Sequence, residues 1–333
     1  DFRLGSNGSK LSGESVGGGS ELDVADCFYQ FEMKQLAKWF GINDPRSVEE
    51  WEQWGIKLCS VYDEDLGHDV SLTPSVVYPV IAAMPMGWTW ALFFANETVA
   101  AIAKGTSIGK QLECRERMPT PQFWESETFT STYVDNVSVF GAAKQDVCDR
   151  MQALTKAFEK HDIPVVWTYD QPVRKVETVG VIVDFDKQVI LNKPSRLWKI
   201  YLAGRELARR DRVRGEAVEV WLGHITSVFR LCPCLLSIFT VIYRFVAVSR
   251  GKRVKLWPAV KAEIMQSTAL VWLARAPMGG QYVNQVDMGD SSSTGYALLT
   301  RSFPASKIQQ VCRFREKWRF VPLPEDFKNA VEF

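Results

Sequence analysis

Apolar and polar positions change their period several times along this chain, and the changes divide it into elements. ELDV (21–24) is a short strand-like run. In the following DCFYQFEMKQLAKWFG, the residues Phe28, Phe31, Leu36, Trp39 and Phe40 fall roughly on one helical face. That spacing predicts a helix over 27–40, with Asp26 as its cap and Gly41 as its stop. Residues 44–70 are acidic around a helix-like WEQW patch, and VVYPVIAAM (76–84) is an apolar, strand-like run. After Gly87 a long apolar pattern predicts a helix over 88–104, apolar on most faces. The alternating runs on either side of Asp135 predict strands over 128–134 and 137–141. Val147, Met151, Leu154 and Phe158 place a helix at 146–160 with Asp146 as cap. Val179, Val181, Val183 and Phe185 then alternate, and Asp186-Lys187 turns the chain into QVIL. Two further helices are expected at about 194–210 and 216–231. LCPCLLSIFTVIY, interrupted by Pro233, is short enough for a core helix.

The stretch STYVDNVSVFG (131–141) sets a chemical question, because Asp135 and Asn136 interrupt two half-buried runs. A carboxylate beside a sheet core needs a hydrogen-bond network, solvent or a cation. Asp and Asn suit tight turns, so a plain hairpin accounts for the pair. Alternatively the turn presents Asp135 to a metal shared with a second carboxylate. Asp23, at the end of its own strand, is the candidate partner.

Composition narrows the class. The chain has 333 residues, 46% hydrophobic and 24% charged, which suits a globular protein of two or three subdomains. Its seven Cys are scattered and lack the paired spacing of zinc or redox sites, so they read as reduced thiols of an intracellular protein, nuclear or cytoplasmic. No apolar run reaches membrane-span length, and a membrane role is not expected. The chain opens without Met on a Gly/Ser-rich stretch (1–20) expected to be flexible, as in a piece of something longer. The net charge of +1 hides a split: residues 1–150 carry 12 Lys+Arg against 22 Asp+Glu, and the remainder carries 28 against 17. RELARRDRVRG (205–214) and SRGKRVK (249–255) concentrate the basic charge. Each is either a solvated face or a track for a phosphate backbone.

LDVADCFYQF, PMGWTWALFFAN and TYVDNVSVFG, in that order, resemble three successive motifs of retroelement reverse transcriptases. VETVGVIVDFDKQVIL resembles the primer-grip hairpin that follows them, and WLGHITSVFRLCPCLLSIFTVIYRF is similar to their thumb helices. VDMGDSSSTGYAL resembles the opening strand of a ribonuclease H domain, with Asp290 where its first metal-binding Asp stands. The resemblance implies an α+β fold: a polymerase palm of antiparallel sheet backed by helices (21–190), a helical thumb and connection (191–275) and a partial ribonuclease H-like region (283–333).

The same resemblance implies roles. Asp23 and Asp135 become the metal-binding pair, with the main-chain carbonyl of Val24 as a further ligand of two Mg²⁺ (or Mn²⁺) ions. Asn136 stands where the family has a second Asp. Asp26, Phe28, Met86 and Gly87 fall at the nucleotide, Phe28 as an aromatic gate against a ribose 2′ hydroxyl or simply as a core Phe. Val179 and Gly180 fall in the primer grip, and Arg205, Arg209, Arg210, Arg212 and Arg214 along the nucleic-acid backbone. The partners implied are an RNA template, a DNA primer, a deoxynucleoside triphosphate and other parts of a polyprotein.

The chain departs from the family in three places. Asn136 supplies no second charge, only Arg3 and Lys10 precede the first motif as basic residues, and about forty residues follow Asp290, so RNA cleavage is not expected. A catalytically silent remnant that binds nucleic acid through the basic thumb is the alternative function. An unrelated metal-dependent phosphotransferase is a third, against which the thumb-like helices argue.

Overall fold

The computed structural model describes residues 17–33, 36–57, 60–63, 66–71, 76–106, 112–115, 120–121, 128–278, 282–292 and 294–313. The chain enters as strand β1 (Gly18–Val24), makes short 3₁₀ turns at Cys27–Gln30 and Ala37–Trp39, and reaches helix α1 (Val48–Gln53). Ser47 and Glu50 form a capping box at the start of α1. An outlying hairpin, β2 (Ser60–Asp63) with β3 (His68–Ser71), follows. Then come α2 (Ala91–Lys104), β4 (Leu112–Glu113), β5 (Thr128–Tyr133), β6 (Asn136–Gly141), α3 (Lys144–Glu159) and β7 (Val165–Trp167).

These strands make one sheet in the order β4-β5-β6-β1-β7, antiparallel except for the β4–β5 pair. One face packs on the helices. Leu22, Val24, Val137 and Val139 share a core with Ala91, Ala95 and Val99 of α2 and with Val147, Leu154 and Phe158 of α3. The small alanines let α2 lie close against the sheet.

A second sheet covers part of the opposite face. It begins with β8 (Lys175–Thr178), β9 (Val181–Asp184) and β10 (Val189–Asn192). The chain then departs into a helical unit: α4 (Pro194–Arg209), β11 (Arg212–Arg214), α5 (Gly215–Phe229), a 3₁₀ turn Pro233–Ile238, α6 (Val241–Ser249), β12 (Arg253–Lys255) and α7 (Pro258–Leu270). It returns as β13 (Arg275–Pro277), which completes the order β13-β10-β9-β8. Phe129, Phe140, Val176, Phe185, Ile190 and Met278 glue the two sheets together.

The helical unit has its own core around Trp221, Ile225, Phe229, Ile242, Phe245 and Ile264. Buried Glu263 accepts from the amides of Thr240, Val241 and Ile242 at 3.2, 2.8 and 2.9 Å, so a carboxylate from α7 closes the N-terminus of α6. Asn192 on β10 donates to the carbonyls of Val228 and Ala274, tying this unit to the second sheet. Last come β14 (Gln285–Ser291) and β15 (Tyr296–Ser302), which among the described residues pair only with each other, and α8 (Ala305–Cys312). No helix among the described residues is long and apolar enough to cross a membrane.

Several expectations from the sequence are corrected. The helix over 27–40 is absent. Its peptide groups pair instead with the 77–84 run, through Met33 N–H to Ala82 O, Met84 N–H to Phe31 O and Ile81 N–H to Phe40 O at 2.7, 3.0 and 3.1 Å. Leu36 and Trp39, assigned to the buried face, are 40% and 75% exposed. Asp26 makes no cap; it takes a left-handed backbone at φ 50. Gly41 bridges to Val80 rather than ending a helix. Asp146 lies inside the first turn of α3, whose cap position is Ala143. Within the stretch expected to be flexible (1–20), Gly18, Gly19 and Ser20 are buried strand residues; residues 1–16 lie outside those described. Pro233 splits the expected core helix at 231–243 into a 3₁₀ turn and the start of α6. Val179 leaves the strand alternation and sits in a turn.

Candidate active site

Asp23 is the next-to-last residue of β1, and Asn136, the first residue of β6, is its antiparallel partner. The β5–β6 connection is a two-residue turn, Val134–Asp135. The expected turn centre was Asp-Asn, but the structure shifts it by one residue. This puts β-branched Val134 at φ 58, a conformation usually left to Gly or Asn. Two contacts hold the strained turn. Asn96 Oδ1 on α2 accepts from Val134 N–H at 3.1 Å, and Asp135 O accepts from Val24 N–H at 2.9 Å. Such strain persists only where its surroundings enforce it, and it concentrates at working sites.

The shift has a chemical consequence. Asp135 projects from the turn while Asn136 stays in the ladder, and Asn136 Nδ2 donates to Asp135 Oδ1 at 2.9 Å. The amide therefore orients its neighbour, where a second carboxylate would repel it. Burial, and then the charge of Asp135, push the Asp23 carboxyl above its ordinary value. Burial likewise raises Glu21, two residues earlier on the same face; Asp23 and Asp135 add to that rise, while a hydrogen bond from Thr178 and the charge of Lys193 oppose it. The Cys27 thiol is pushed up to about 11, first by burial and then by Asp135 and Asp23.

The carboxylates of Asp23, at a strand end, and of Asp135, in the neighbouring turn, repel one another and are hard oxygen donors. That set fits Mg²⁺, which takes one or two carboxylates and completes its shell with water and substrate phosphates. Among the described residues, no group of three or more His, Cys, Asp or Glu side chains converges as a metal cage.

Other residues singled out in the sequence fall in the core, on the turn into α2 and in a second hairpin. Phe28 is only 9% exposed and belongs to the core with Val24, Met84 and Ala91, so it packs as a core Phe. Asp26 is exposed beside it. Met86 is 65% exposed, and Gly87 takes φ 97 with open space around it, on the turn that leads into α2. Val179 and Gly180, at φ 42 and 79, form the two-residue turn between β8 and β9.

The arginine cluster divides. Arg205 lies over the ring of Tyr201 on α4, and Arg210 pairs with Glu206. Arg212 and Arg214 lie on β11, whose partners on β12 are Lys255 and Arg253. This ribbon stands at the far end of the 16-residue α4, about 24 Å from its start. The basic residues close to the Val179–Gly180 turn are ones that sequence reasoning missed. Lys193 pairs with Glu177, and the Arg196 guanidinium lies against Gly180. Lys193 and Arg196 open α4 outside any conspicuous charge run, so no local signal marked them. Asn96 and Glu21 were missed for the same reason. Asp290 pairs with Ala297 in the β14–β15 hairpin, whose described side chains are exposed.

No protein-family model and no curated protein matches the sequence. Among solved structures, the chain is similar to the foamy viral protease-reverse transcriptase dRH in complex with ds DNA (TM-score 0.49, 11% identity, 93% of this chain and 46% of that chain). It is also similar to the foamy viral protease-reverse transcriptase with dsDNA (0.45, 11%, 92% and 54%) and with an RNA/DNA hybrid (0.45, 9%, 89% and 35%). The chain thus spans about half or less of the length of these proteins, and likeness at this level is one of outline only.

Proposed function

We propose that this chain is the palm and thumb of an RNA-directed DNA polymerase, with residues 283–333 as the start of a ribonuclease H-like region. The observation that carries this reading is the pairing of Asp23, at a strand end, with the strained Val134–Asp135 turn on the neighbouring strand. A plain hairpin has no need of a β-branched residue at positive φ.

Asp23 and Asp135 would hold two Mg²⁺ or Mn²⁺ ions, with the Val24 carbonyl as a further ligand. When bound, such a pair activates a primer 3′ hydroxyl and stabilises charge on the α-phosphate and the departing pyrophosphate. The chain's own part is orientation. Asn136 fixes the rotamer of Asp135 through its 2.9 Å hydrogen bond, and Asn96 fixes the turn that carries it. The Val179–Gly180 turn would steady the primer end, and Met86-Gly87 would flank the incoming deoxynucleoside triphosphate. Lys193 and Arg196 near the turn, then Arg205, Arg209, Arg210, Arg212 and Arg214, would follow the backbone of an RNA template paired with a DNA primer.

The test is addition of one deoxynucleotide to a labelled DNA primer on an RNA template with Mg²⁺, alongside Mg²⁺ titration by calorimetry. Extension that is lost in Asp23→Asn and Asp135→Asn supports the reading. Asn136 favours a second reading, a silent relative that binds nucleic acid without extending it. Tight hybrid binding with no extension and no Mg²⁺ heat selects that alternative.

A further inference from the structure

A buried polar chain crosses between the two sheets next to the proposed site, and no step of the proposed reaction uses it. Glu21 lies on the same face of β1 as Asp23 and is 7% exposed. Its antiparallel partner on β6 is Ser138, 1% exposed. Above them Thr178, 6% exposed, ends β8. Ser138 Oγ and Thr178 Oγ1 are 2.5 Å apart, a buried hydroxyl–hydroxyl hydrogen bond that joins the two sheets. The Thr178 hydroxyl also favours the charged form of the Glu21 carboxyl, against the burial that raises it.

An apolar trio would fill this space without the cost of burying a carboxylate. What the polar contact adds is register, because the Ser138–Thr178 bond forms at a single relative height of β6 and β8, and the pairing of Ser138 with Glu21 passes that height to β1. β1 carries Asp23 two residues further on, and β6 follows directly from the turn that carries Asp135. β8 is followed at once by Val179–Gly180. Neighbouring bonds support the same junction. Gly19 and Val173 exchange amide and carbonyl at 3.0 and 2.9 Å, and Lys193, at the head of α4, pairs with Glu177.

Resting on the polymerase reading, we propose that Thr178 is a positioning residue: through its buried hydrogen bond to Ser138, the strand partner of Glu21, it fixes the height of the Val179–Gly180 turn, and so of a primer end, against Asp23 and Asp135.

The test uses the whole chain with an RNA template and a DNA primer ending in 2-aminopurine, whose fluorescence reports how the terminal base is seated without any turnover. Thr178→Val keeps the volume and removes the donor. It is expected to slow single-nucleotide addition by at least about tenfold, a fraction of the hundredfold that an ångström of misplacement costs. Hybrid affinity and the KM for nucleotide should stay unchanged, while the 2-aminopurine signal moves toward that of free primer. Thr178→Ser, which keeps the hydroxyl, should restore both rate and signal. Ser138→Ala, which removes the other hydroxyl of the pair without adding bulk, carries the same test if Thr178→Val lowers the melting temperature. Wild-type rate and signal in these variants overturn the inference alone. So does a loss in Thr178→Val that only tracks the unfolded fraction. A wild-type chain that neither binds the hybrid nor extends the primer overturns the polymerase reading, and this inference with it.

Discussion

The amide of Val24 donates to the carbonyl of Asp135 at 2.9 Å, so the end of β1 is bonded directly to the β5–β6 turn. The two aspartates therefore move together. Any displacement of the turn carries Asp135 and pulls on the peptide next to Asp23.

Removing one charge from this pair separates a metal site from a hairpin. Asp135→Asn and Asp23→Asn keep shape and hydrogen-bonding capacity, so folding should hold and the melting temperature without Mg²⁺ should not fall. Primer extension should drop at least about a hundredfold, the scale of losing a main stabiliser of transition-state charge. Calorimetry should show Mg²⁺ binding weakened in both. An Asp135→Asn chain that binds Mg²⁺ and extends as before would leave STYVDNVSVFG a turn and nothing more.

Asn136→Asp makes the opposite change. It breaks the 2.9 Å hydrogen bond from Nδ2 to Asp135 and sets a like charge beside it. The melting temperature should fall in chelator and rise more than wild type on addition of MgCl₂. Equal melting shifts in the two proteins would show that position 136 does not face a cation.

The raised carboxyls of Asp23 and Glu21 give a signed pH dependence. Their folded-state values lie above the ordinary 3.8 and 4.5, so the folded chain holds these protons more tightly than the unfolded one. Their contribution to stability is complete below the ordinary values and is lost as pH rises through the raised ones. Chemical denaturation in chelator should show stability falling across that window, and Mg²⁺ should flatten the fall. Stability that rises there in Asp23→Asn relative to wild type fits this sign; a wild-type profile unchanged by Asp23→Asn contradicts it.

The β11–β12 ribbon sets Arg212 opposite Lys255 and Arg214 opposite Arg253. Like charges directly across a strand pair are destabilising, and a phosphate backbone would relieve them. Arg212→Ala or Arg253→Ala should lower the slope of log affinity against log salt for an RNA/DNA hybrid by about one for each phosphate left without its arginine. Fluorescence anisotropy across a salt series measures it. Unchanged slopes would assign hybrid binding to Lys193 and Arg196 instead.

Gly19→Ala tests the packing around the start of β1. A Cβ there would meet the carbonyl of Val139 at 2.5 Å and the ring of Phe140 at 2.8 Å on the neighbouring strand β6, and Val176 of the second sheet at 3.2 Å. Overpacking of this kind costs about 1–3 kcal/mol, read as a lower urea midpoint. An unchanged midpoint would mean that β6 yields at no cost and that β1 is not tightly packed there.

Elements whose periodicity agrees with their burial can be read along the chain. The strands around Asp23 and Asp135 and the helices α2, α3, α4 and α5 were legible, because local spacing is a property of short stretches, and the cost of an unpartnered carboxylate singled out Asp135. What those stretches do when they meet was settled by the fold. The 27–40 segment has helical spacing, yet its Met33 amide and its Phe31 and Phe40 carbonyls pair with the 77–84 run, and hydrogen bonds across the fold outweigh a weak local preference. Gly19 looks like linker until β6 packs against it so closely that a side chain has no room. The turn slid from Asp-Asn to Val-Asp because Asn96 and Val24 anchor it from other elements. Glu21, Thr178 and Ser138, separated by up to 157 positions in the sequence, carry no mark of one another along the chain; they become a unit only where β1, β6 and β8 cross, since hydrogen bonding depends on distance in space.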